Sequence, residues 1–183
     1  MTTQAPADLG LATSLPKRYF GKYRGTVINN VDPMQMGRIM AMVPDVSSAI
    51  PTSWAMPCLP VAGIQMGIYA VPPVNAGVWI EFEHGDPDKP IWTGCFWGSA
   101  AEVPALALAG NPASPSIVLQ TTGMNTLSIS DLPGPTGGFL LKATSGASIL
   151  INELGITISN GQGAIISMTG PTVDINAGAL TIV

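Results

Sequence analysis

From Ser116 onward, apolar and polar residues alternate in short runs of three or four, and the runs recur every eight to ten residues with Gly, Asn or Pro between them. The series starts with Ser116-Ile117-Val118-Leu119, Thr126-Leu127-Ser128-Ile129, Phe139-Leu140-Leu141 and Ser148-Ile149-Leu150-Ile151. It continues with Ile156-Thr157-Ile158, Ile165-Ile166-Ser167-Met168, Thr172-Val173-Asp174-Ile175 and Leu180-Thr181-Ile182. Period-two alternation puts Ile, Leu, Val or Met on one face of a strand and Ser, Thr, Asn or Asp on the other. The pattern predicts eight short strands with the chain turning after each one.

The first half alternates as well, with richer side chains. Tyr23 to Asn29 reads as a strand, Asn30-Val31-Asp32-Pro33 as a turn, and Gly37 to Pro44 as a second strand. Ala76 to Glu83 predicts a third, with Val78, Ile80 and Phe82 inward and Trp79, Glu81 and Glu83 outward. Gly85-Asp86-Pro87-Asp88 turns the chain into a strand over Pro90 to Trp97. No helical periodicity competes with these readings. About five strands in so short a span predict a small closed barrel.

Composition divides the chain near residue 100. Phe139 is the only aromatic residue after Trp97, and after Glu102 the charged residues are Asp131, Lys142, Glu153 and Asp174 alone. The expected organisation is an extended segment over 1–16, a barrel over 17–99, an Ala/Pro/Leu linker over 100–115, and a strand-rich needle over 116–183. Such a needle cannot close on itself, because a solitary β-helix needs roughly 20 residues per coil and more than three coils to be stable. Three copies around one axis solve this: their apolar faces meet in a shared core and their edges pair. Ile149, Ile151, Ile156, Ile158, Val173 and Ile175 are the expected trimer core. Eight steps of one strand give a shaft of roughly 35–40 Å by about 15–20 Å across.

Only 10% of residues are charged against 46% hydrophobic, with a net charge of -4. That excludes disorder and a general affinity for phosphate backbones, and it favours a buried subunit interface. Prolines at 51, 57, 60, 72 and 73 interrupt every apolar stretch before membrane-spanning length, and the first fifteen residues lack the basic and apolar regions of a secretory signal. Cys58 and Cys95 are expected as buried free thiols, and a single His84 cannot build a metal cluster. His84 lies in a turn without a nucleophilic serine motif, Glu81 and Glu83 imply no cleft, and Gly134 to Gly138 lacks the lysine of a phosphate loop. No enzyme, cofactor or metal is expected. Lys17, Arg18, Tyr19, Lys22 and Arg24 form the one basic, aromatic cluster, read as an ionic contact with a protein neighbour rather than with nucleic acid.

Phe20 to Val27, Asp32-Pro33, Gly37-Arg38-Ile39 and Val43-Pro44 resemble the opening of the OB-fold domain of phage baseplate spike proteins. The resemblance continues through Trp54-Ala55, Pro57-Cys58, Pro72-Pro73-Val74, Gly77 to Glu83 and Gly85-Asp86-Pro87, and closes with Lys89 to Gly98. It covers about 80 residues in collinear order, in a family shared by contractile phage tails, R-type bacteriocins, type VI secretion systems and extracellular injection particles. It implies an all-β protein: an N-terminal OB-fold barrel followed by an intertwined trimeric β-helix needle. It further implies a structural spike, made in the bacterial cytoplasm without a signal peptide and built into a baseplate, that pierces a target envelope when a sheath contracts. The partners implied are two further copies, a separate hub protein at the base and a tip protein similar to the PAAR-repeat proteins. The tip would cap the end formed by Ala179, Leu180, Thr181, Ile182 and Val183, and the basic cluster is the candidate hub contact. The linker is too short for the lysozyme domain of some relatives, and no histidine follows His84 to build the iron-binding apex of others. A trimeric adhesive fibre is the alternative reading, and an OB-type nucleic-acid binder a third.

Overall fold

A computed structural model of the chain describes residues 17–114 and 116–182; the predicted extended segment over 1–16, Pro115 and Val183 lie outside them. The chain forms two compact units that meet between Phe96 and Trp97.

The first unit contains β1 (Tyr23–Asn29), β2 (Met40–Met42), β3 (Met56–Pro57), β4 (Ala62–Gly63), β5 (Met66–Gly67), β6 (Gly77–Phe82) and β7 (Pro90–Phe96). Five of these make one curled sheet in the order β2-β1-β6-β7-β3, antiparallel except for the β7–β3 pair. Its two outer strands are tied by an antiparallel bridge, in which Ile39 and Ala55 exchange N–H···O bonds of 3.2 and 2.7 Å. This is the OB-type curl that the alternation predicts. Val27, Ile39, Ala41, Val43, Ala55, Val78 and Ile80 are fully buried inside it, with Phe82 and Trp92. Burial stabilises by about 1.5–3 kcal/mol for each Val or Ile, so this cluster dominates the unit's stability. Only Gly fits at 77, where a Cβ would stand 2.7 Å from the Phe96 ring.

Two strand readings shift. The second alternating run pairs in a ladder only over Met40–Met42, because its first residues are held in a turn by Asp32. The third ends at Phe82, and Glu83 turns into a single 3-10 turn, Glu83–Gly85, where His84 adopts a φ of 53°. Glu81 and Glu83 therefore do not line one strand face.

The second unit begins with a 3-10 turn, Ala100–Glu102, and one helical turn, α1 (Ala105–Leu108). Eight strands follow: β8 (Ile117–Gln120), β9 (Thr126–Ser130), β10 (Gly138–Lys142), β11 (Ser148–Asn152), β12 (Gly155–Ser159), β13 (Ile165–Thr169), β14 (Thr172–Ile175) and β15 (Leu180–Ile182). They form a single antiparallel meander in which each strand pairs with its neighbours in sequence. Gly155 allows one of the tight turns, since its φ is +138° and a Cβ there would overlap the Met168 carbonyl.

Hydrogen bonding runs from strand to strand along the chain, so the side borders of the sheet are turns, and among the described residues its outer strand edges lie on β8 and β15. The predicted polar face is only half polar. Val118, Leu140 and Leu150 share it with Ser128, Thr157, Ser167 and Asp174. Leu106 of α1 and Leu132 line a groove with Leu140, Leu150 and the buried Ser128, which accounts for the apolar residues there.

Candidate assembly interface

Registers across the meander align the apolar residues into two ladders. Ile117, Ile129, Phe139, Ile151, Ile156, Met168, Val173 and Ile182 stand directly opposite one another from strand to strand. Leu119, Leu127, Leu141, Ile149, Ile158, Ile166, Ile175 and Leu180 form the second ladder. Residues two apart on a strand share a face, so both ladders lie on the same side of the sheet. Neither contains a polar residue. Eleven of the sixteen side chains are 36–64% exposed in the single chain. A contiguous apolar face of this length is an interface in waiting.

All six residues expected in the trimer core lie on this face: Ile151, Ile156 and Val173 in the first ladder, Ile149, Ile158 and Ile175 in the second. Leu180 and Ile182 end the two ladders, on a strand whose outer edge has no partner among the described residues. Ala179 lies in the turn before it, its N–H donating to the Asn176 carbonyl at 3.4 Å, and Thr181 pairs with Asp174. Val183 is outside the described residues.

The basic cluster is largely engaged within its own unit. Lys22 donates to Glu81 at 2.8 Å and to Thr93 at 3.0 Å, and Arg18 reaches the His84 carbonyl at 3.4 Å. Arg24 lies over the Trp79 and Phe96 rings, 5.5 and 5.2 Å from their centroids. Lys17 sits over Tyr19, whose own ring packs against Tyr23 and Phe82.

Both cysteines are free and exposed, which corrects the buried reading. Cys58 follows the two-residue strand β3, and Cys95 lies one residue from the end of β7, places where the short strands leave side chains uncovered. Partial burial still pushes the Cys95 thiol above its usual range. Among the described residues no group of three His, Cys, Asp or Glu is placed to hold a metal ion, and no helix is long and apolar enough to cross a membrane.

Sequence reasoning missed the most elaborate polar site. The Asp32 carboxylate accepts from the backbone N–H groups of Met34, Met36 and Arg38, at 2.9, 2.8 and 3.2 Å. The Arg38 guanidinium adds two bonds, at 3.0 and 2.6 Å, and stacks 5.6 Å from the Trp54 ring. Arg38 foremost, then the three N–H groups, holds the Asp32 carboxyl far below the usual carboxylate range against the opposing effect of burial. The spacing Asp-x5-Arg within the turn was the available signal.

Residues 23–97 match the type VI secretion system/phage-baseplate injector OB domain. Residues 116–181 match the phage baseplate V C-terminal trimerisation domain. No curated protein matches the chain in sequence. The second match coincides with the meander that carries the ladders and supports a homotrimer joined through it; both matched domains are structural parts of baseplates. An injector OB domain followed directly by a baseplate trimerisation domain, over most of its length, means that the chain belongs to the baseplate spike family of phage tails and type VI secretion systems.

Proposed function

We propose that the chain is the trimeric central spike of a contractile injection particle, and that it breaches the target envelope mechanically. The observation that carries this reading is the pair of unbroken apolar ladders on one face of the meander. Three such faces turned inward bury both ladders of each copy in one dry prism, with Ile149, Ile151, Ile156, Ile158, Val173 and Ile175 in its core. Axial load then passes through strand-to-strand hydrogen bonds along the shaft, as a piercing element requires. The barrel joins the hub beneath the tube, and residues 100–115 link it to the shaft. The role is structural, and no step of it needs a reacting group.

At the far end, the outer edge of β15 and the apolar side chains of Leu180 and Ile182 form a template for a tip protein. Replacing both with Asp is expected to release the tip while the trimer persists, because seven rungs of each ladder remain. Electron microscopy of particles from the producing cell, with this chain labelled, tests the reading as a whole. Label at the central baseplate axis below the tube is the expected result. Label on peripheral fibres overturns it in favour of an adhesin.

A further inference from the structure

The barrel carries an apolar surface of its own. Between Asp45 and Glu81 the chain contains no charged residue, and the middle of this run projects as the β4–β5 hairpin. Every residue from Pro60 to Ala70 is exposed; Ile64 at the tip is 99% exposed, Met66 64% and Tyr69 69%. The hairpin has two residues per strand, far below what holds an isolated ribbon together in water. Its surroundings extend the same chemistry. A Cβ on Gly37 would meet the Tyr69 ring at 3.4 Å, so the outgoing arm lies against the turn that Asp32 organises. Asn30 donates to the Pro72 carbonyl at 3.0 Å, fastening the two loops together. Within that turn the Met34 and Met36 N–H groups are held by Asp32 and their side chains face outward. Asp32 and Arg38, beside the patch, neutralise each other as an ion pair. The result is one surface of Met34, Met36, Ile64, Met66, Ile68 and Tyr69, apolar, rich in adaptable methionine and without net charge.

We infer that this hairpin arm packs on the barrel of a neighbouring copy of the same chain within the spike. The inference rests on the trimer reading above. The trimerisation domain brings three chains together from residue 116, and the barrels end at residue 97, so each barrel is joined to the shared domain by 18 residues, part of which fold as the turns Ala100–Glu102 and Ala105–Leu108. At about 3.3–3.6 Å per residue one such segment spans at most about 65 Å. Two of them separate any pair of barrels by at most about 130 Å, less where the segment is folded, which keeps the barrels at an effective concentration on the order of a millimolar. A neighbouring copy is therefore the partner that every arm meets first and always. The chemistry agrees: surfaces buried permanently between identical subunits are apolar and poor in charge. Threefold symmetry makes the contact heterologous, each arm lying on a different patch of the next barrel so that three contacts close a ring.

A photo-crosslinking amino acid in place of Ile64, in the purified full-length protein, tests this. Irradiation is expected to yield chain dimers and trimers on a denaturing gel, with the linked peptides falling within residues 17–97 of another copy. Light scattering of the same sample reports whether the trimer is present, so failure of the trimer and failure of the arm contact are told apart. Links confined to one chain in a sample of trimer mass overturn the inference. So does a link formed only in whole particles and only to a different protein, which assigns the arm to the hub. As a second variant, Ile64→Ser combined with Met66→Ser keeps the trimer mass and makes residues 60–70 several-fold more sensitive to limited proteolysis. Unchanged proteolysis also contradicts the arm contact.

Discussion

Asp32 shows how much of the barrel's geometry depends on one carboxylate. Its three backbone bonds fix the turn after β1, and Arg38 carries that order to Ile39, the residue whose bridge to Ala55 closes the curl. Asp32→Asn is expected to lower the barrel's melting temperature more than Lys22→Gln, because Lys22–Glu81 is an exposed pair of the kind that contributes about 0–1 kcal/mol. The pH dependence has a definite sign. The folded-state pKa of Asp32 lies below its ordinary value of 3.8, so its contribution is complete above about pH 4 and is lost as pH falls from there toward the folded value. Thermal melts in acid should show that limb in the native protein and a shallower one in Asp32→Asn. At the other end of the chain, Ala177 occupies a φ of +54° in the turn between β14 and β15. Ala177→Gly relieves the strain, and a gain of about 0.5–1 kcal/mol in unfolding free energy is expected.

At the scale of elements, the two faces of the meander make opposite demands, and paired substitutions read them. Ile158 stands in a ladder between Ile149 and Ile166, whereas its neighbour Thr157 points to the other side. Ile158→Asp places a carboxylate from each copy around the axis, a cost of several kcal/mol for each unpaired charge, and assembly is expected to fail. Thr157→Asp should leave the oligomer intact; size-exclusion chromatography distinguishes the two. The ladders were legible in the sequence because a half-buried strand writes its burial as a period of two, and turn residues mark each end. The barrel strands were legible for the same reason at Val78, Ile80 and Phe82. What escaped was whatever depends on a partner remote from the strand. Leu140 and Leu150 interrupt the polar face because Leu106 and Leu132 share a groove with them. The exposure of Cys58 and Cys95 follows from where short strands stop, which alternation does not encode. Asp32 read only as a turn former because its five hydrogen bonds are visible only once the loop is closed.

For the whole molecule, assembly is expected to rest on the shaft, with the barrel folding as an independent unit. The boundary near Phe96 agrees with that division, so a chain truncated after Ser99 should fold with the barrel's melting behaviour and be monomeric or weakly associated. A weak residual association of this fragment is what the hairpin arm supplies once its tether is cut. The central claim is that the ladder face is complete only against two further copies. The most direct test is the mass of the purified full-length chain in solution by multi-angle light scattering. Three times the 18.8 kDa of one chain, persisting on dilution, is the expected result. A stable particle of 18.8 kDa would leave both ladders open to water and contradict the account.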